Sequence, residues 1–239
     1  EKNDRSLESL ISLTRAKNIN DARENFYSYI APGQNLMLVD KNNIMMKTIG
    51  KVPKRSSINS TKGKFPSLGW QEKNSWQGFF PFQNNPIIKN PESGVIINTN
   101  NKITDQSFPN HISFDWGDSQ RIIRVKDLIR KRRFHTVESF VGIQTDAISI
   151  SARILLPLLA KNLWFHENSN SESDFNQLKI KALKLLSEWN GDMNKNNSEP
   201  LLYTAWVRAF QNLITSDNVG VKPNETSTIR PLFLERVLR

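Results

Sequence analysis

Short strand patterns precede the main run of helical patterns in this chain, and that order restricts the folds that are open to it. The apolar runs at residues 35–40 and 44–49 are separated by the turn residues Lys41, Asn42 and Asn43, which predicts a β-hairpin. After residue 118, apolar residues recur with a helical period. Strands followed by helices are typical of the α+β class. We therefore predict an α+β chain, with a strand and loop portion at residues 1–118 and a mainly helical portion at residues 119–239.

The other elements follow from the same patterns. Residues 4–29 have a rough helical period, and residues 95–98 resemble a strand that follows a Pro-Gly turn. The segment 51–91 contains five prolines and several aromatic residues, and it is too long to be a simple loop. The helical portion predicts helices near residues 119–132, 136–145, 147–165, 172–190, 200–215 and 227–238.

A formal charge of +10 and a pI near 9.8 raise the question of an anionic partner. The densest basic run, at residues 130–133, resembles a phosphate-binding stripe but equally the solvated face of a helix. Because no glycine-rich phosphate loop, zinc finger or RNA-binding aromatic pair accompanies this run, we predict no nucleic-acid partner. A basic binding domain is the rival interpretation. No run approaches the roughly 18–20 apolar residues of a membrane span, so none is predicted.

Metal and thiol chemistry find little support in the sequence. Cysteine is absent, which excludes disulfides, thiolate zinc sites and a cysteine nucleophile. The three histidines are not spaced as metal ligands are: His111, His135 and His166. We therefore predict no metal site.

Familiar hydrolase motifs are also missing. The chain has no nucleophile elbow, no HExxH pair and no Walker loop. The carboxylates Asp115, Asp118 and Asp146 are isolated, and we expect them to cap helices or to form salt bridges.

The informative stretch lies between residues 76 and 121. It contains, in order, Trp76-Gln77-Gly78-Phe79-Phe80-Pro81-Phe82, Asn85-Pro86, Asn90-Pro91-Glu92-Ser93-Gly94, Asn98-Thr99-Asn100-Asn101, Trp116-Gly117 and Arg121. This order and spacing strongly resembles the penicillin acylase family. In that family a Trp-x-Gly-x-x-Pro-Phe segment, an Asn-Pro turn and a Gly-x-Ile-x-Asn-x-Asn-Asn strand precede a Trp-Gly step that leads to an arginine. The resemblance extends over about residues 14–160, including Gln144-x-Asp146-x-x-Ser149-x-x-Ala152.

The resemblance implies part of the four-layered αββα N-terminal-nucleophile hydrolase fold, with an attached helical region. It also implies hydrolysis of an N-acyl amide by a serine at the N-terminus of a β-chain, whose own α-amine acts as the base. The oxyanion of the tetrahedral intermediate then needs preorganised hydrogen-bond donors. Because Glu1 is not a serine, we expect this chain to be an internal part of such a β-chain, without the nucleophile.

Three positions match functional residues of the family. Asn100 matches the oxyanion asparagine, although a turn residue at a strand end would look the same. Arg121 matches the active-site arginine, with Arg124 as the fallback and an exposed helix cation as the alternative. Gln34 matches a position that lines the acyl pocket, or it is a polar residue at the start of a strand. We expect Asn98 and Asn101 to hold the loop through side-chain-to-backbone bonds.

The resemblance further implies the partners. They are a small-molecule acyl amide substrate and the α-chain and the rest of the β-chain, cut autocatalytically from one precursor and located in the periplasm. The substrate would be a penicillin or another β-lactam, or alternatively an N-acyl-homoserine lactone. Many members bind calcium, but the corresponding residues 109–113 contain no carboxylate, so no cofactor is predicted. A relative that has lost its nucleophile is a further alternative.

Overall fold

The structure, a computed structural model, describes residues 4–105, 107–160, 174–219 and 229–239. The chain divides into two compact units, Glu1–Gly117 and Asp118–Arg239. Within the described residues, the first unit contains five strands and two short α-helices, and the second contains six α-helices. Among the described residues, no helix has both the length and the apolar character that crossing a membrane requires.

An antiparallel sheet of β1 (Gln34–Val39), β2 (Ile44–Ile49) and β5 (Ile87–Lys89), in that order, forms the centre of the first unit. Strands β1 (Gln34–Val39) and β2 (Ile44–Ile49) form the predicted hairpin, with Gln34 opposite Ile49. Asp40 fixes the turn, because its Oδ1 accepts hydrogen bonds from the backbone N–H groups of Asn42 and Asn43, both at 2.9 Å. The hairpin prediction is therefore confirmed.

A buried lysine lies inside this sheet. The side chain of Lys47 is 2% exposed, and its Nζ donates to the carbonyl of Asn85 at 2.7 Å and to that of Gln83 at 3.3 Å. The amide of Asn85 in turn donates to the carbonyls of Thr48 and Gly50. Burial lowers the pKa of Lys47 to about 8, with a smaller contribution from the positive charge of Arg23. These bonds attach residues 83–85 to β2.

The predicted helix at residues 4–29 is wrong as a single element. The chain forms α1 (Ser6–Ser12), a 3₁₀ turn at Leu13–Arg15 and α2 (Ile19–Glu24). The break has a local cause, because the side chain of Asn18 accepts from the N–H groups of Asn20 and Asp21 and so caps a new helix. Behind these helices, Phe26, Tyr29 and Ile49 form a buried cluster.

The predicted strand at residues 95–98 is also wrong, because those residues are in no strand. The third strand of the sheet is β5 (Ile87–Lys89), which pairs with β2. It ends where Asn90 accepts from the backbone N–H of Ile44 at 2.9 Å and adopts a left-handed φ of 47°. The long segment 51–91 also contains β3 (Pro53–Arg55) and β4 (Trp76–Phe79), which form a separate two-stranded sheet.

The second unit is helical within its described residues. Its helices are α3 (Ser119–Arg130), α4 (Val137–Gln144), α5 (Ile150–Ala160), α6 (Asp174–Glu188), α7 (Glu199–Val219) and α8 (Pro231–Leu238). Each predicted helix of this portion is present, although its ends differ from those predicted. The parts of the predictions that reach residues 161–173 and 227–228 lie outside the described residues. Ala152, Leu156, Leu186 and Tyr203 form the core of this unit.

Candidate active site

The asparagine-rich segment 98–101 is held by its own side chains. Asn101 Oδ1 accepts from the backbone N–H of Thr99 at 3.0 Å and from its hydroxyl at 3.3 Å. Asn98 Oδ1 accepts from the backbone N–H of Asn100 at 3.3 Å. Thr99 is buried between these bonds, whereas Asn100 is exposed. Asn98 and Asn101 thus make the side-chain-to-backbone bonds that the sequence predicts. Asn100, which lies between them, is exposed.

Asn100 has an uncommon backbone conformation. Its φ is +65°, in the left-handed region that asparagine tolerates better than most other residues. Non-glycine residues in this region cost free energy and concentrate at functional sites. The conformation directs the carbonyl of Asn100 to Gly117, whose N–H donates to it at 2.6 Å.

Gly117 is packed directly against Asn100. A Cβ at Gly117 would lie 3.0 Å from the carbonyl oxygen of Asn100 and 3.3 Å from its Cβ. Asn101 also forms an isolated parallel bridge with Gly117. Gly117 is the glycine of the Trp-Gly step that precedes Arg121. Its position shows that a side chain there would displace Asn100.

The other two predicted site residues are on different elements. Gln34 is the first residue of β1 and is exposed, at the point where the hairpin strand begins. Arg121 is exposed in the first turn of α3, in the second unit. Gln34 and Asn100 both belong to the first unit.

Arg124, the fallback arginine, is engaged in an ion pair. Its Nε and Nη2 donate to the two carboxylate oxygens of Asp146 at 2.8 and 2.6 Å, and both side chains are 15% exposed. The hydrogen bonds from Arg124 lower the pKa of the Asp146 carboxyl, and they raise the pKa of the guanidinium. The bidentate pair links α3 to the residues just after α4. Asp146 is therefore a salt-bridge partner, as the sequence predicts.

The described residues near the position of the family's calcium site make hydrogen bonds within the chain. Within the described ranges, no group of three or more histidine, aspartate or glutamate side chains could hold a metal ion. Asp105 Oδ1 instead accepts hydrogen bonds from the backbone and the hydroxyl of Ser107, at 3.0 and 2.7 Å. Calcium requires several oxygen ligands around one point, so no step of the chemistry is assigned to it.

Comparison with known protein families decides the relationship. The model of the penicillin amidase family matches residues 1–237. The chain belongs to the penicillin amidase family. The resemblance drawn from residues 76–121 is thereby confirmed.

Individual relatives agree with this membership. The acyl-homoserine lactone acylase QuiP of Pseudomonas syringae pv. syringae is 24% identical over 224 residues, which is 92% of this chain and 27% of that protein. The penicillin acylase 2 proenzyme of a Pseudomonas species is 24% identical over 70% of this chain and 20% of its own length. The penicillin G acylase of Escherichia coli is 30% identical over 46% of this chain and 13% of its own. The chain thus spans about a quarter of the length of the QuiP relative.

A solved structure supports the fold. A thermostable penicillin G acylase from Alcaligenes faecalis matches with a TM-score of 0.67 and 18% identity, over 90% of this chain and 39% of that one. The predicted α+β class, as part of the N-terminal-nucleophile hydrolase fold of this family, is confirmed.

Proposed function

We propose that the intact protein hydrolyses an N-acyl amide, and that this chain supplies the oxyanion asparagine, Asn100. The observation that carries the proposal is the fixed, left-handed conformation of Asn100 within a penicillin amidase family chain. Hydrogen bonds to the side chains of Asn98 and Asn101 hold the segment 98–101, and the N–H of Gly117 donates to the carbonyl of Asn100. A side-chain donor on a backbone held in this way has less to reorganise when the oxyanion forms.

The proposed chemistry divides between this chain and the rest of the protein. The hydroxyl of a serine at the N-terminus of the β-chain attacks the amide carbonyl, and the α-amine of the same serine takes up the hydroxyl proton. That proton passes to the leaving amine as the C–N bond breaks and an acyl-enzyme forms, and water then hydrolyses the acyl-enzyme to release the acid. The amide group of Asn100 donates a hydrogen bond to the carbonyl oxygen as that oxygen becomes negative. A carboxamide stabilises this charge without adding one of its own. The α-chain and the remaining β-chain would come from the same precursor by autocatalytic cleavage, which makes the uncut form a zymogen.

Arg121 and Gln34 are the other two positions that match functional residues of the family. We assign to Arg121 the ordering of the groups around the nucleophile, as in the family it matches. Gln34, polar and exposed at the start of β1, would line the acyl pocket. A glutamine there disfavours a phenylacetyl group, because the phenylacetyl-cleaving members of the family carry an apolar residue at this position.

Two substrate classes follow from the family. The first is the side-chain amide of a penicillin or related β-lactam, which would connect the enzyme with antibiotics, as the names of the penicillin acylases indicate. The second is an N-acyl-homoserine lactone. The long match to the acyl-homoserine lactone acylase, over 92% of this chain, favours this second class. We place the intact enzyme in the periplasm by analogy with the family.

The test begins with the intact protein from its source, by mass measurement and N-terminal sequencing. A β-chain that begins with serine upstream of Glu1 is expected, together with a separate α-chain. An uncut chain, or a mature terminus without serine, threonine or cysteine, would contradict the enzymatic proposal.

Asn100→Ala then tests the role of the side chain. We expect kcat to fall by about 10²–10³ with KM nearly unchanged, because the lost bond forms in the transition state. Penicillin G and an N-acyl-homoserine lactone should be assayed in parallel, with Asn84→Ala as the control, an exposed asparagine of the same unit. A normal kcat for Asn100→Ala would show that the oxyanion assignment is wrong.

A further inference from the structure

The turn between α3 and α4 exposes basic and apolar side chains together. We call it the elbow surface, defined by residues 130–133 and by Phe134, Val137, Phe140 and Val141. Phe134 is 80% exposed and Val137 is 75% exposed, and Phe140 and Val141 are each about half exposed. Single exposed apolar residues are ordinary, but four within eight residues form a patch that a soluble surface normally avoids.

The charge of the elbow surface is strongly positive. Residues 130–133 are four consecutive cations, all exposed, and within residues 130–141 the single carboxylate is Glu138. In the described part of the chain, none of the four cations forms a salt bridge. The guanidinium of Arg133 instead lies 5.6 Å from the ring centroid of Phe134. The cations and the aromatic group therefore belong to one surface.

The elbow is held in a defined conformation. Thr136 caps α4 in a capping box with Ser139, whose hydroxyl also lies 3.2 Å from Nδ1 of His135. Nε2 of His135 is 3.0 Å from the carbonyl of Ile129, in the last turn of α3. The imidazole thus connects the end of α3 to the start of α4, and its ring packs on Phe140 with centroids 5.2 Å apart.

A cavity opens at the elbow. Its volume is about 350 Å³, and its polar lining includes Lys131, Arg132, His135 and Ser139, with Glu138 as the one carboxylate. Gly142, also in the lining, has no atom within 4 Å of the place where a Cβ would be, so the space beside α4 is open. A cavity of this size accommodates a small charged headgroup.

We propose that the elbow surface docks the protein on an anionic lipid membrane, with a lipid phosphate at the cavity and Phe134 in the interface. Basic side chains beside exposed aromatic ones are the composition of surfaces that bind acidic lipids. Covering the elbow with another part of the protein would remove four consecutive unpaired cations from water, which is costly and is avoided in the centres of protein interfaces. Nucleic acid would satisfy the cations but would leave Val137 and Val141 without apolar contacts.

The test is sedimentation of the intact protein with lipid vesicles, of phosphatidylcholine alone or of phosphatidylcholine mixed with phosphatidylglycerol. Stronger binding to the mixed vesicles is expected, weakening as salt is added. Each basic side chain near an acidic membrane contributes about fivefold to affinity. Arg132→Gln combined with Arg133→Gln should therefore weaken binding by about 25-fold. The matched control, Lys41→Gln with Lys73→Gln, removes two exposed lysines of the first unit and should leave binding unchanged.

Phe134→Ser separates a membrane from other polyanions. On the mixed vesicles it should weaken binding by about tenfold, because the ring loses its apolar environment, whereas binding to heparin or DNA should not respond. Three results would overturn the proposal: equal binding to both kinds of vesicle or to neither, an equal effect of the elbow and control variants, or an unchanged affinity for Phe134→Ser. Circular dichroism and the acylase activity of each variant show whether the fold is intact.

Discussion

Replacing Gly117 by alanine should impair the proposed active site without unfolding the protein. The added Cβ would lie 3.0 Å from the carbonyl oxygen of Asn100, 3.2 Å from its carbonyl carbon and 3.3 Å from its Cβ. These are backbone atoms and a Cβ, so no side-chain rotation relieves the contact. The φ of Gly117 is not left-handed, so alanine is allowed there by its own backbone conformation. The close contact with Asn100 is therefore the main consequence of the substitution.

The size of the effect follows from the distances. Ordinary contacts of a Cβ begin near 3.4 Å, so Asn100 must move by about 0.4 Å. Catalytic groups must be held to within about 0.5 Å, and a misplacement of about 1 Å costs roughly 100-fold in rate. We therefore expect kcat to fall by about 5- to 10-fold, less than for Asn100→Ala. KM should change little, because the displaced group contacts the substrate oxygen mainly in the transition state.

Steady-state kinetics of the intact protein would measure this effect, with thermal unfolding as the check on the fold. Gly69→Ala is the matched control, because Gly69 belongs to the same unit, has no left-handed φ and has no atom within 4 Å of an added Cβ. That variant should keep the wild-type kcat. A wild-type kcat for Gly117→Ala as well would refute the inference that Gly117 sets the position of Asn100.

Two further predictions concern stability. Burial lowers the pKa of Lys47 from 10.5 to about 8, so between these pH values the unfolded chain binds more protons than the folded chain. The free energy of unfolding should therefore rise by up to about 3 kcal/mol as the pH increases from about 8 to 10.5. In urea denaturation, the free energy of unfolding of Lys47→Met should not show this rise with pH. If the free energies of the variant and the wild type differed by the same amount at every pH, the prediction would be wrong. Asp146→Asn should destabilise the protein by about 3 kcal/mol, because it leaves the guanidinium of Arg124, whose side chain is 15% exposed, without its carboxylate. Adding Arg124→Met should restore part of that loss, and a change below about 0.5 kcal/mol for Asp146→Asn would show that the pair is dispensable.

The sequence predicted those elements whose determinants are close together in the chain. The hairpin of β1 and β2 needs a four-residue turn and two apolar strands, all within sixteen residues. The sequence pattern predicts a strand at residues 95–98 and not β5, because the position of β5 depends on Asn90, whose side chain accepts from the N–H of Ile44 across 46 residues. No periodicity near residue 90 encodes that contact. Likewise, the helix at residues 4–29 was predicted as one because the cap formed by Asn18 competes with an apolar pattern that continues through it.

In the candidate site, too, the features with local determinants can be predicted from the sequence, whereas those that depend on distant contacts cannot. Asn100 could be selected from the order of motifs around it, but its contact with Gly117 joins residues 17 positions apart and becomes visible in the structure alone. The left-handed φ of Asn100 was likewise not predicted, since asparagine at a strand end adopts several conformations. Motif order identifies the residue, and the packing around it explains how the residue is held.

Asparagine at position 100 combines two properties, since it tolerates a left-handed φ and its side chain can donate a hydrogen bond. Glycine would adopt a φ of +65° without strain but has no side-chain donor, whereas alanine has neither advantage. Asn100→Gly and Asn100→Ala should therefore lose the same 10²–10³ in kcat. Their stabilities should differ, with the glycine variant more stable by about 1 kcal/mol in urea denaturation, because it alone avoids the left-handed cost. If the glycine variant kept its activity, the backbone conformation and not the carboxamide would be what the reaction needs.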